Sequence, residues 1–329
     1  MALLELREFG LYCPAGDFYI DPAAPVDRAI VTHAHADHAC TGSRAYLTAQ
    51  SGVSLLRERV GEGSIQGAEY GEAVTFGDVR VSLHPAGHIL GSAQIRLERS
   101  GEVWVVSGDY KLAPDPTCAP FEPVRCHTFV TESTFGLPIF RWPDETATLA
   151  SIHAWWTANQ EAGKASLLFA HALGKAQHLL ALLDATIGPI HVHESVERLN
   201  ALYREQAIAL APTVPASSLK AGDWRRALII APPVVMGSRW TRQFGSVSTA
   251  LASGWMRIRG TRRRRSLDRG FVLSDHADWP ALLRAIDETQ AETVWVTRGY
   301  RSPLVRWLHE HGRQAVAVEV ASPLAEAQS

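Results

Sequence analysis

The sequence predicts a mixed α/β protein built as two lobes, and three observations predict it. Residues 1–135 carry short apolar runs between turns rich in Gly and Pro, with one helical stretch among many strands. From Thr146 the texture changes to helices alternating with buried strands, the pattern of a parallel α/β layer. After Arg269 single strands and helices follow in turn and are expected to complete the first lobe. A length of 329 residues has room for two domains, and 46% hydrophobic content can fill two cores.

In the first part, strands are expected over Phe18–Asp21, Ala29–Thr32, Val79–His84, Ile95–Glu98, Val103–Ser107 and Thr128–Thr131, with a helix over Gln50–Val60. Within Val103–Ser107, residues Val103–Val106 are a continuous apolar run, as in a strand buried on both faces. The second part reads as helix Leu149–Glu161, buried strand Ala165–Ala170, helix Lys175–Ile187 opening after Gly174, strand His191–His193 and helix Ser195–Ile208. The last part reads as a strand after Arg269, helix Trp279–Thr289, strand Val294–Thr297, helix Pro303–His311 and strand Ala315–Val320. Pro323–Ser329 is expected to fray.

The chemistry is concentrated in His33-Ala34-His35-Ala36-Asp37-His38, which follows the run Ala29–Thr32. Four potential ligands in six residues crowd a single tetrahedral site, so two adjacent cations are the natural reading. Imidazole and carboxylate without thiolate suit Zn²⁺, Mn²⁺ or Fe. Paired ions roughly 3.5–4 Å apart are a recurring device for hydrolysing phosphodiesters. Two more strand ends add His88, beside Gly87 and Gly91, and Asp109, a carboxylate placed to bridge two cations.

These motifs resemble the metallo-β-lactamase superfamily: His-x-His-x-Asp-His, then a lone His, then a lone Asp. The resemblance implies that His33, His35 and His88 hold one metal, that Asp37 and His38 hold another, and that Asp109 bridges them. Asp21 matches an early aspartate that braces the ligand loop from behind. Further along, Val130–Gly136, with Glu132 at a strand end, resembles motif A of the β-CASP nucleases, and Leu273–Asp278, with His276, resembles their motif B. Residues 137–272 lie between, the place of the β-CASP insert. His171–Gln177 is similar to the Gly-Lys turn of Artemis-like nucleases. Over its whole length the chain resembles the bacterial ligase-associated DNA exonucleases. The implied fold is α/β, a metallo-β-lactamase αββα sandwich in two parts (1–140 and 266–329) with an α/β β-CASP insert (141–265).

One position departs from the wider β-CASP pattern. After strand residues Glu292–Thr297, a His often completes the second metal's shell, and here the residue is Arg298. A guanidinium has no lone pair to donate to a cation. Either the second ion binds weakly through Asp37, His38, Asp109 and water, which is the expectation, or Arg298 takes its place and contacts substrate phosphate.

Net charge is −2, which alone argues against a nucleic-acid partner, but seven arginines fall at 257, 259, 262, 263, 264, 265 and 269. A solvated charge run is one reading. Placed just before motif B, Arg262, Arg263, Arg264 and Arg265 are also candidates for phosphate binding. Lys175, after Gly174 at a helix start, is another. Cys13, Cys40, Cys118 and Cys126 form no Cys-x-x-Cys pair and suit reduced thiols in a cytoplasm. The N-terminal residues lack the apolar region of a signal peptide, and no run approaches the ~20 apolar residues of a membrane span. A cytoplasmic protein with no membrane association is expected.

The implied activity is metal-dependent exonucleolytic hydrolysis of single-stranded DNA in DNA repair, with 5′ entry by analogy with Artemis-like enzymes and association with an ATP-dependent DNA ligase and a helicase. Two divalent ions, Zn²⁺ or Mn²⁺, are the implied cofactors. Asp37 would take the proton of the attacking water. His276 would serve the leaving oxygen, with Glu132 holding it and favouring its charged form. The alternatives are a β-CASP ribonuclease, which usually carries an appended RNA-binding domain, and a nucleic-acid-binding protein impaired in catalysis through Arg298.

Overall fold

The computed structural model describes residues 2–219, 222–258, 260 and 266–321. It divides into two compact units, Met1–Pro138 with His276–Ser329, and Ile139–Asp275. Strands are numbered β1–β19 along the chain.

The first unit holds two sheets. One comprises β1 (Glu5–Arg7), β2 (Gly10–Cys13), β3 (Phe18–Ile20), β4 (Arg28–Ile30), β5 (Ala45–Ala49) and β6 (Ser64–Ala68), side by side in that order. The other comprises β7 (Ala73–Phe76), β8 (Val79–Pro85), β9 (Ala93–Arg99), β10 (Glu102–Val106), β11 (Thr128–Thr131), β18 (Thr293–Val296) and β19 (Gln314–Ala317), again neighbour to neighbour. Its first half is antiparallel, and from β10 onward the strands pair in parallel.

The two sheets share one core. Leu11, Phe18, Ile20, Ile30 and Leu47 from the first meet Val81, Leu83, Ile95, Leu97 and Val130 from the second. On the second sheet's other face, Val105, Phe129, Val294 and Val296 pack with helices Trp279–Glu288 and Arg301–Glu310. Burial on both faces is why β10 carries the apolar run Val103–Val106 and β11 sets Phe129 beside Val130. The helix Trp279–Glu288 starts where Asp278 accepts the Ala281 N–H at 3.0 Å, with Pro280 in its first turn. It buries Trp279, Leu282, Ala285 and Ile286 as one stripe. Each such large side chain removed from water stabilises by about 1.5–3 kcal/mol.

The second unit is a parallel sheet of β12 (Ala165–Phe169), β13 (Ile190–Val192), β14 (Val214–Pro215), β15 (Leu228–Ala231), β16 (Val247–Ala252) and β17 (Arg269–Phe271), in the order β14-β13-β15-β12-β16-β17. Helices Glu145–Glu161, Lys175–Leu182 and Glu194–Glu205 alternate with its strands.

The protein is thus mixed α/β, with several differences from the sequence expectation. The strand after Arg269 does not return to the first unit. It pairs with β16, and Phe271 packs on Trp155 at 5.7 Å between ring centroids. Strands β1, β2, β5, β6, β7, β14, β15 and β16 are additions to the expected set. Ser64–Ala68 and Val247–Ala252 are rich in small and polar residues, and sheet pairing rather than side-chain pattern makes them strands. Among the described residues, no helix is long and apolar enough to cross a membrane.

Candidate metal centre

Three strand ends of the first unit build the site. After β4, the Val31 N–H still bonds Leu47 O at 2.8 Å, and the chain then turns sharply, with the His38 and Ala39 N–H groups returning to His35 O at 3.1 and 2.9 Å. This turn gathers side chains 33, 35, 37 and 38. Between β8 and β9, Ser92 Oγ accepts the His88 and Ile89 N–H groups at 3.1 and 3.2 Å and holds His88 inward. Gly87 is required there: its φ is +72°, and a Cβ would stand 2.2 Å from Lys111 O. After β10, Gly108 lets the backbone pass Thr32, whose side chain a Cβ would meet at 2.7 Å, and delivers Asp109.

In the first group of ligands, His35 Nδ1 stands 3.1 Å from both His33 Nε2 and His88 Nε2, while Asp109 Oδ2 is 3.7 Å from the former and 3.9 Å from the latter. The four ligand atoms lie within 4.8 Å of one another. A tetrahedral Zn²⁺ at about 2.0–2.1 Å from nitrogen spaces its ligands by roughly 3.3 Å. The imidazoles are therefore set at a separation a cation can span. Burial, then the neighbouring His38, His35 and His88, hold His33 well below the ordinary imidazole value, so it stays neutral as a ligand must be.

The second group is Asp37, His38 and Asp109. His38 Nε2 lies 3.6 Å from Asp37 Oδ2 and 3.4 Å from Asp109 Oδ2. Its Nδ1 faces Asp21 Oδ2 at 2.7 Å. Asp21 also accepts the Thr32 N–H at 2.8 Å and the Thr32 hydroxyl at 2.6 Å, so it stands behind the loop and orients His38. Burial and Arg298 oppose a charge on His38, but Asp109, Asp37 and Asp21 outweigh them and push it up to about 10. Burial likewise favours neutral Asp109, yet His38 and His276 hold it well below the ordinary carboxylate range.

The residues fit a divalent cation. Asp109 Oδ1, an acceptor on the carboxylate that both groups share, is buried and without a hydrogen-bond partner among the described residues. Such an atom costs about 1–3 kcal/mol unless something positive or polar meets it. The N/O donor set is that of Zn²⁺ or Mn²⁺.

Beside the first group stands His276, with Nδ1 3.1 Å from both Glu132 oxygens and 3.9 Å from Asp109 Oδ2. Glu132 is buried and also accepts the Tyr110 N–H at 3.0 Å, which fixes its position. Arg298 reaches the second group: one guanidinium nitrogen is 2.5 Å from Asp37 Oδ2 and the other 2.8 Å from Asp37 O. Together His38 and Arg298 hold Asp37 below its ordinary value against burial and Asp109.

Other expected residues stand elsewhere. Lys175 is only 4% exposed and pairs with Asp275 Oδ1 at 2.9 Å inside the second unit, so its ammonium meets a carboxylate instead of an open phosphate site. Arg262, Arg263, Arg264 and Arg265 lie outside the described residues. Trp255 packs edge-on against Phe140 at 5.7 Å between ring centroids. His193 caps a helix by accepting the Ser195 N–H at 3.1 Å. Sequence reasoning missed Thr32 and Ser92, which tie the ligand loops, and Ser133, which anchors Arg298. A hydroxyl directly before His33 was the available signal for the first, and a serine four residues past His88 for the second; Ser133 meets Arg298 only through the fold.

No family model matches the chain. A protein named Probable DNA ligase from Opitutus terrae is 30% identical over 312 residues, which are 94% of this chain and 30% of that protein. Endoribonuclease YSH1 from Gibberella zeae is 33% identical over 125 residues, 36% of this chain and 14% of that protein. Transcription termination factor FttA from Pyrococcus horikoshii is 36% identical over 134 residues, 38% of this chain and 20% of that protein. These proteins are its homologues. The chain spans less than a third of the length of each of these curated relatives. A solved protein of unknown function from Enterococcus faecalis shares the fold, with a TM-score of 0.59 at 12% identity over 89% of this chain and 79% of that one.

Proposed function

We propose that the chain is a metal-dependent nuclease on a metallo-β-lactamase scaffold with a β-CASP insert, hydrolysing DNA phosphodiesters from an end, with single strands as substrate. The observation that carries this reading is the convergence of His33, His35, His88 and Asp109 beside the His276–Glu132 pair. The endoribonuclease name of one relative supports a nuclease. A match within a ligase-named protein supports DNA as substrate and a DNA ligase as functional partner, a helicase being the further partner expected in repair.

His33, His35, His88 and Asp109 would hold a divalent cation, which when bound supplies Lewis acidity toward phosphate. Asp37, kept ionised by His38 and Arg298, would orient the attacking water and accept its proton. Glu132 holds His276 by Nδ1, so a proton for the leaving oxygen would come from Nε2. The buried Glu132 fixes the ring's tilt and thereby the direction of that delivery.

A second reading, a ribonuclease, is favoured by the endoribonuclease name of one relative. End-labelled single-stranded DNA and a matched RNA, incubated with Mn²⁺ or Zn²⁺, separate the two. Loss of label from DNA alone is expected. Cleavage of RNA alone supports the second reading, and cleavage of neither leaves a binding protein. Serine at 262–265 should weaken DNA affinity and flatten its salt dependence by about 0.7 in slope for each phosphate no longer neutralised.

A further inference from the structure

We infer that Arg298 stands in for a second metal ion, so that this chain holds one divalent cation tightly, at His33, His35, His88 and Asp109, with a guanidinium as the second positive charge. The inference rests on the metal-dependent reading above and narrows it. Of the outcomes open to the sequence, it selects the one in which Arg298, and not a weakly held ion, serves the second group.

Arg298 already occupies the ligand that a second ion would need. Of the three residues in the second group, Asp37 is gripped twice by the same guanidinium, through Oδ2 at 2.5 Å and the backbone carbonyl at 2.8 Å. A second cation would have to displace two charge-assisted bonds to recruit that carboxylate. His38 adds a further demand, because Asp21 holds it through Nδ1 and leaves Nε2 between Asp37 and Asp109. With Asp37 engaged, that group retains His38 and the shared Asp109, too few protein ligands for tight tetrahedral coordination.

The backbone keeps Arg298 in place. Residue 298 adopts φ +51°, a left-handed conformation that side-chain-bearing residues take at a cost. Three contacts hold it there. Ser133 Oγ donates to the Arg298 carbonyl, the Thr297 N–H bonds Thr131 O at 2.8 Å, and the Tyr300 N–H bonds Ser133 O at 2.8 Å. Gly299 follows because a Cβ there would stand 2.2 Å from Ser133 O. The turn after β18 is thus locked to the turn after β11, and the long side chain leaves from a fixed base. The ion pair is half-buried, with side-chain exposures of 21% and 34%, so water screens it only in part.

The test counts ions. The full-length chain is equilibrated with excess Zn²⁺, freed of unbound metal by gel filtration, and analysed for zinc per chain. One equivalent is expected for the wild type and two for Arg298→His, which restores an imidazole at this position. Two equivalents in the wild type, or one in a folded Arg298→His, would overturn the inference while leaving the nuclease reading intact. No retained zinc in the wild type would remove the metal reading as well. The wild-type count needs no variant, so the inference stands or falls even where Arg298→His fails to fold.

Discussion

One hexapeptide feeds two neighbouring ligand groups, and the rest of the chain treats them differently. In the group of His33, His35, His88 and Asp109, imidazole nitrogens converge across gaps of 3.1 Å, a spacing that a cation would relieve. In the group of Asp37, His38 and Asp109, charges are already matched, with Asp21 on His38 and Arg298 on Asp37. The residues delivered from elsewhere make the difference. Ser92 turns a third imidazole into the first group, whereas the turn after β18 brings a cationic side chain to the second. Ligand-rich sequence alone therefore does not set how many ions a site holds; the charge of the residue that closes each group does.

The sharpest way to break this comparison is at the residue both groups share. Asp109→Ala is expected to reduce hydrolysis of single-stranded DNA to background and bound zinc to below one equivalent. Asp37→Ala should also abolish hydrolysis but keep the zinc. Equal zinc loss in the two variants would mean that the groups do not differ as described. Next in size is His276→Ala, expected to lower kcat by about 10²–10⁴-fold with zinc content unchanged, as for loss of a general acid. Unaltered kcat would remove His276 from the chemistry.

The smallest effect is on pH dependence. His38 is raised to about 10 from an ordinary 6.5, so the folded state binds its proton more tightly than the unfolded chain does. In chelator-treated protein this contribution is full below pH 6.5 and is lost as pH rises toward 10. Tm should fall across that window, and His38→Asn should flatten the fall. A Tm profile identical in both proteins would show that His38 does not carry the proton. Protons must also leave His38 before it can ligate, so any ion in the second group should bind better at higher pH.

Much of the first unit was legible because its strands are buried in ways that leave a pattern. Val105 and Phe129 face helices while Trp104 and Val130 face the other sheet, and β10 and β11 read as strands for that reason. Strand β5 was not legible, since its pairing with β4 and β6 depends on backbone hydrogen bonds that any sequence can make. The strand Arg269–Phe271 joins the second unit against expectation, because three residues carry no mark of the sheet they will enter. Lys175 illustrates the same limit. A Gly-Lys helix start looks like a phosphate grip until Asp275, a hundred positions along the chain, is found 2.9 Å from its ammonium.

The sequence by itself determined the chemistry available: imidazoles and carboxylates at strand ends, no thiolate among them, and an arginine where a ligand is often found. Residue type and local spacing suffice for that, because donor atoms belong to single side chains. Only the tertiary structure decided which donors meet, that Thr32 and Asp21 lock the loop from behind, and that Arg298 closes on Asp37. Those outcomes are distances between segments up to 261 residues apart, and they exist only once two sheets have packed and their turns are locked together.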